Sequence, residues 1–188
     1  MRDGFAVPHG ELWVFGYGSL MWNPGFTHDH AAPALLRGYH RAFCIYSTRN
    51  RGTQDKPGLV LGLNRGGACR GMVYRVPAAA VAATMDALWA REMTRKVYLP
   101  RPVRVVLGDT AVTAMAFIAD TRHAAYAGDL AFDDTARLIS CCSGQRGHNA
   151  EYLINTLQHL EELGMRDGRL HKLYLRVLEL QAEQAARA

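Results

Sequence analysis

A chain of 188 residues with 49% apolar composition holds enough material for one ordinary domain and its core. Its 22 Lys and Arg against 17 Asp and Glu leave a net charge of +5, which suits an anionic partner but identifies none. It has no apolar run of roughly 18 residues, no apolar leader between Met1 and Glu11, and no C-x-x-C pair among Cys44, Cys69, Cys141 and Cys142, so a soluble, cytoplasmic protein is expected, with no membrane partner, secretory signal or disulfide scaffold.

The first predicted element is a strand, Leu12–Phe15, an apolar run that stops at Gly16. His40–Ser47, Leu59–Leu63 and Cys69–Val76 read as further strands. An Ala-rich helix is expected from Pro77, whose missing N–H is harmless in a first turn, and it ends before Pro100. Val103–Leu107 and Val112–Ala119 complete the strands. Three helices follow: Asp133–Cys142, then Asn149–Leu163 with Asn149 as N-cap and Gly164 as stop, then Leu170–Gln181 with Leu170, Leu173, Tyr174, Val177 and Leu178 on one face. The strands mostly follow one another through hairpin-length gaps. The expected class is therefore α+β: a mixed, mostly antiparallel sheet or small barrel flanked by helices, in a single domain over 1–188. The loop Arg49–Gly58 is either a cover for a pocket mouth or a plain hairpin connection. The adjacent Cys141 and Cys142 are either a redox device or two small helix residues.

Two segments carry candidate chemistry. In Val14-Phe15-Gly16-Tyr17-Gly18-Ser19-Leu20 an apolar strand runs into two glycines and a serine. Such a turn lets successive backbone N–H groups converge on an anion or a developing oxyanion, and it can equally be a purely structural turn. Tyr17 has a pocket-lining and a packing reading. In the Pro77 helix, Val81, Met85, Leu88 and Glu92 follow steps of four, three and four, which puts a carboxylate at the end of an apolar stripe. A carboxylate there is desolvated and more basic, as a general base requires. The competing reading pairs Glu92 with Arg95 or Lys96 at the surface.

Other chemistries fit less well. Gly16-Tyr17-Gly18 is followed by neither a third Gly in G-x-G-x-x-G nor a Lys-Ser/Thr, which argues against a nucleotide cofactor. Ser19 lacks a nucleophile elbow, and His28-Asp29-His30 lacks metal-ligand spacing. Arg37, Arg41, Arg49, Arg51 and Lys56 form a basic stretch that suits a small anionic metabolite or is a solvated face; without interleaved aromatics it does not suggest a nucleic acid partner.

Taken together, Trp13-Val14-Phe15-Gly16-Tyr17-Gly18-Ser19-Leu20-Met21-Trp22-Asn23-Pro24 resembles the opening signature of the ChaC family of glutathione-specific γ-glutamylcyclotransferases. Arg51-Gly52-Thr53 with Lys56-Pro57-Gly58 looks like the family's middle loop, and Gly71 with Tyr74-Arg75-Val76 like its next strand. Leu88–Glu92 followed by Tyr98 is similar to the segment with the catalytic Glu, and Asn149–Leu153 through Leu163-Gly164 to the C-terminal helix. One departure is Cys142-Ser143-Gly144-Gln145-Arg146-Gly147-His148, where the family's Gly-Pro-x-Gly-type turn lacks its proline. The resemblance implies the γ-glutamylcyclotransferase-like fold and conversion of glutathione, the small-molecule partner, to 5-oxoproline and Cys-Gly. It implies Glu92 as base, Val14 to Leu20 as the substrate-binding segment, and no metal or other cofactor. Cyclisation of other γ-glutamyl amines, or ligand binding without catalysis on the same fold, stand as alternatives.

Overall fold

The computed structural model describes residues 10–187, so the polar segment ahead of Gly10 lies outside the described residues. Its elements are Leu12–Gly16 (β1), His30–Ser47 (β2), Gly58–Val76 (β3), Val81–Glu92 (α1), Tyr98–Leu107 (β4), Thr110–Ala119 (β5), Phe132–Cys141 (α2), Ser143–Gly144 (β6), Gly147–His148 (β7), Asn149–Glu162 (α3) and Gly168–Ala185 (α4). The chain divides into two compact units, one of residues up to Ala42 with Gly62–His123, the other of Phe43–Leu61 with the chain from Ala124 onward. The long strands β2 and β3 contribute residues to each.

In the first unit the five strands close into a barrel in the order β1-β3-β2-β4-β5. β1 runs antiparallel to β3 from Leu12↔Val76 to Gly16↔Met72, and closes the barrel by a parallel pairing with β5 at Val14↔Met115. β4 alternates as a half-buried strand should, with Val103 and Val105 inward and Arg104 outward. β5 is instead buried continuously from Ala114 to Ala119. Its second face is covered by α1: Trp89 meets Phe117 edge to face at 6.0 Å, and Val81, Met85 and Leu88 share one core with Val14, Val76, Met115 and Phe117. The mixed, mostly antiparallel barrel flanked by helices is the expected fold class.

At two places the strands run through residues that the sequence reading takes as breakers. β2 begins at His30 instead of His40, because Pro33 and the positive-φ Gly38 look like breakers and are absorbed along the strand. The two strands read as Leu59–Leu63 and Cys69–Val76 are one, β3. Gly66 and Gly67, at φ +94° and +69°, kink the strand without ending it, and the Gly66 carbonyl lies 3.0 Å from His40 Nδ1.

The second unit packs α2, α3 and α4 around Ile139, Leu153, Leu160 and Val177, with β6 and β7 as a tight hairpin. Asp167 caps α4 by accepting from Leu170 N at 3.1 Å. Asn149 is not the N-cap of α3, as expected, but its first residue; His148 takes the cap position, and Glu151 Oε2 accepts from the His148 N–H at 3.1 Å. The Asn149 side chain turns inward instead. Its Oδ1 accepts from Leu59 N at 2.6 Å and its Nδ2 donates to Leu59 O at 2.7 Å, completing the strand's pairing as a neighbouring strand would.

Candidate active site

β1 delivers the chain into a turn held from several sides. Gly16 leaves little room for a side chain, since a Cβ there would sit 3.0 Å from Leu20 Cβ and 3.1 Å from its carbonyl carbon, tighter than ordinary contact. Ser19–Met21 form one 3-10 turn, closed by Met21 N donating to Gly18 O at 2.8 Å. The N–H groups of Ser19 and Leu20 precede that first bond and have no partner within the turn. The Tyr17 hydroxyl donates to Phe117 O at 2.9 Å, and the buried Tyr74 hydroxyl donates to Met21 O at 2.5 Å. Burial pushes the Tyr74 phenol up to about 12, so it stays a donor. Arg41, only 5% exposed, donates from Nε to Tyr17 O at 2.5 Å and from Nη2 to Arg70 O at 2.7 Å. The turn is therefore rigid and preorganised.

Val14 and Phe15 are fully enclosed in β1 and anchor this turn, and Tyr17 is buried at 7% exposure, which favours its packing reading. Ser19 is half-buried, and its Oγ accepts from Arg91 Nη2 at 2.7 Å.

Glu92 is the last residue of α1, one step past Val81, Met85 and Leu88, which are all buried. Its side chain is 18% exposed, and burial raises its carboxyl above the ordinary value while Arg91 opposes the shift. Arg91 Nε lies 3.1 Å from Glu92 Oε1, and Arg91 Nη1 donates to Asn23 O at 2.6 Å. Arg91 is thus an ion-pair partner of Glu92, one that the competing surface reading with Arg95 or Lys96 does not name. The helix stops at Glu92, so positions three and four residues on do not lie on the same helical face. A desolvated carboxylate and the glycine turn are joined through one guanidinium.

With this geometry in view, comparison with known proteins is decisive. Residues 12–180 match the family described as ChaC-like protein. The chain belongs to the ChaC-like family. Among ChaC-like relatives, the glutathione-specific γ-glutamylcyclotransferase of Escherichia coli (strain K12) is 42% identical over 175 residues, covering 93% of this chain and 76% of that protein. The enzyme of the same name from Schizosaccharomyces pombe (strain 972 / ATCC 24843) is 30% identical over 196 residues, covering 94% and 93%. A crystal structure of a yeast γ-glutamyl cyclotransferase specific to glutathione shares the fold, with TM-score 0.82 and 24% identity over 91% of this chain and 99% of that one.

The remaining ChaC-like segments lie in the second unit. The loop 48–57 connects β2 to β3 and is pinned to the hairpin β6–β7, where Gln145 N and Arg146 N donate to Arg49 O and Asn50 O at 2.8 and 2.9 Å. Gly144 has no room for a Cβ, which would sit 2.6 Å from Arg49 O, so the hairpin keeps its tight docking without the family's proline. A cleft of about 490 Å³ opens there, lined by Arg49, Gly52 and Thr53 on one side and Ser143, Gly144 and Gln145 on the other. Arg51 is committed to α3, donating to His148 O at 2.9 Å and lying 5.5 Å from the Tyr152 ring centroid. Cys142 donates to Pro57 O at 3.4 Å and burial pushes its thiol up to about 11; no disulfide joins any of the four cysteines, all of them among the described residues.

The sequence reading missed the roles of Arg41, Tyr74 and Arg91. Arg41 was grouped with a basic stretch, yet it is buried beneath the glycine turn, and Arg51 is a structural clamp, so that stretch is not one solvated face. The available signal was Arg41's position between Tyr39 and Phe43 within an apolar run.

Proposed function

We propose that this chain cyclises the γ-glutamyl group of glutathione, releasing 5-oxoproline and Cys-Gly in the cytoplasm, with Glu92 as general base. Glu92 takes a proton from the substrate's α-amino group, and that nitrogen attacks the γ-carbonyl carbon of the same substrate. The new C–N bond closes the five-membered ring. As the tetrahedral intermediate collapses, the bond to the cysteine nitrogen breaks, and Glu92 returns its proton to the departing amine. Attack within one molecule removes the entropy cost of bringing two reactants together, so the protein must only hold the bent conformer. The Ser19 and Leu20 N–H groups meet the developing oxyanion, and the segment Val14 to Leu20 holds the glutamyl group. No activated serine is involved, consistent with the engagement of Ser19 Oγ by Arg91.

The observation that carries this reading is the desolvated Glu92 carboxylate linked to the glycine turn, in a chain whose relatives are named for the reaction. The test is Glu92→Gln, which keeps size and removes proton acceptance. The expected fall in 5-oxoproline release is roughly 10²- to 10⁴-fold, with the fold retained. A fully active Glu92→Gln enzyme refutes the assignment.

A further inference from the structure

We propose that Arg91 is a positioning residue for this cyclisation, clamping the Glu92 carboxylate to the glycine turn so that base and substrate-holding segment move as one piece. The inference rests on the reading of Glu92 as the base. Neighbouring residues of a helix point about 100° apart around its axis and do not ordinarily face each other, so an ion pair between Arg91 and Glu92 is not the usual helical pair. It forms because the guanidinium is held by anchors outside the helix: Nη1 on Asn23 O at 2.6 Å and Nη2 on Ser19 Oγ at 2.7 Å. Those anchors leave Nε directed at Glu92 Oε1, 3.1 Å away. A planar fork can serve three acceptors at fixed mutual angles, and an ammonium on a flexible stem cannot.

The contacts have two separable consequences. Geometrically, Ser19 and Asn23 lie at the two ends of the turn's last bond, where Asn23 N donates to Ser19 O at 3.0 Å, so Arg91 grips the turn at both ends while holding the base. Electrostatically, the guanidinium opposes the effect of burial on Glu92 and keeps the carboxylate ionised further down the pH scale. Three groups around the turn are engaged within it: the Tyr17 hydroxyl with Phe117 O, the Tyr74 hydroxyl with Met21 O, and Arg41 with Tyr17 O and Arg70 O. Burial and Arg91 are the two influences acting on the Glu92 carboxyl.

The test compares wild type, Arg91→Met, Arg91→Lys and Glu92→Gln in 5-oxoproline release from glutathione across pH, with thermal melting of each preparation. Arg91→Met should lower kcat roughly 100-fold, as misplacement of a reacting group by about 1 Å does, with KM little changed. The acidic limb of its kcat profile should move to higher pH, because burial then acts on Glu92 unopposed. Arg91→Lys should restore the acidic limb toward wild type while kcat stays low, separating charge from the fork. If Arg91→Met does not fold, Arg91→Lys decides alone, and wild-type kcat in that variant overturns the proposal. Loss of kcat in Arg91→Met with an unmoved acidic limb, or loss that tracks only the folded fraction, also overturns it. An inactive Glu92→Gln beside normal Arg91 variants would refute this inference and spare the base, whereas an active Glu92→Gln refutes the base itself.

Discussion

Replacing Asn149 with alanine removes one side chain that substitutes for a strand edge. Asn149 and Leu59 are both fully buried, and two short hydrogen bonds, 2.6 and 2.7 Å, join the amide to the N–H and C=O of Leu59. After the substitution both backbone groups remain dry and unpartnered. At about 1–3 kcal/mol for each buried group left unsatisfied, the loss is about 2–6 kcal/mol, and we take about 4 as the expected value. That is a large part of the roughly 5–15 kcal/mol that holds a typical protein folded. For a chain of this size it corresponds to a fall in melting temperature of roughly 8–16 °C. Urea unfolding at unchanged m-value measures it. Asn149→Asp sharpens the test: it keeps an acceptor for the Leu59 N–H but turns a second acceptor, ionised at neutral pH, toward the Leu59 carbonyl. That variant should be strongly destabilised at pH 7 and recover as the pH falls and the acid takes up a proton. A stability loss below about 1 kcal/mol in Asn149→Ala would refute the account, because it would mean that Leu59 finds other partners at no cost.

Further outcomes follow from the barrel and the site. Gly71→Ala puts a Cβ 2.3 Å from Gly16 O and 2.7 Å from Phe15 Cζ, where neither backbone nor a buried ring can yield, so it should cost at least about 1–3 kcal/mol by melting and lower turnover of the folded enzyme through Gly16. Glu92 has a folded-state pKa above its unfolded one, so the folded chain binds more protons between those values. Its contribution is most favourable below the ordinary carboxylate value and is lost as pH rises through the raised one, and Glu92→Gln should flatten that part of the melting-temperature profile. Glutathione should give a higher kcat/KM than γ-glutamyl-alanine, and the reverse order would assign the chain to a broader cyclotransferase activity.

The fold class was legible because short apolar runs with hairpin-length gaps constrain a chain to a mostly antiparallel sheet. Strand ends were less so. Pro33, Gly38, Gly66 and Gly67 are breakers by composition, yet along β2 and β3 the backbone absorbs them, an outcome set by pairing with distant strands and not by the residues themselves. At the site, Gly16 and Glu92 could be singled out, since a glycine turn after a strand and a carboxylate ending an apolar stripe are local patterns. Arg41 and Arg91 could not, because their partners Tyr17, Arg70, Ser19 and Asn23 lie 24, 29, 72 and 68 residues away. Asn149 misled for a related reason. Its residue type suits an N-cap, but a partner 90 positions earlier draws the side chain inward.

The parallel pairing of β1 with β5 also has a bearing on folding. Val14 meets Met115 across a hundred residues of chain, and Leu12 meets Val76 across more than sixty. Contacts of such high sequence separation carry a large loop-closure cost and are made slowly. The glycine turn hangs from the end of β1, so it acquires its shape only when the last strand of the barrel is in place. The Tyr17 hydroxyl reaches Phe117 O on β5, so recovery of activity on refolding should follow barrel closure. Activity should therefore return later than helix content when both are followed during refolding.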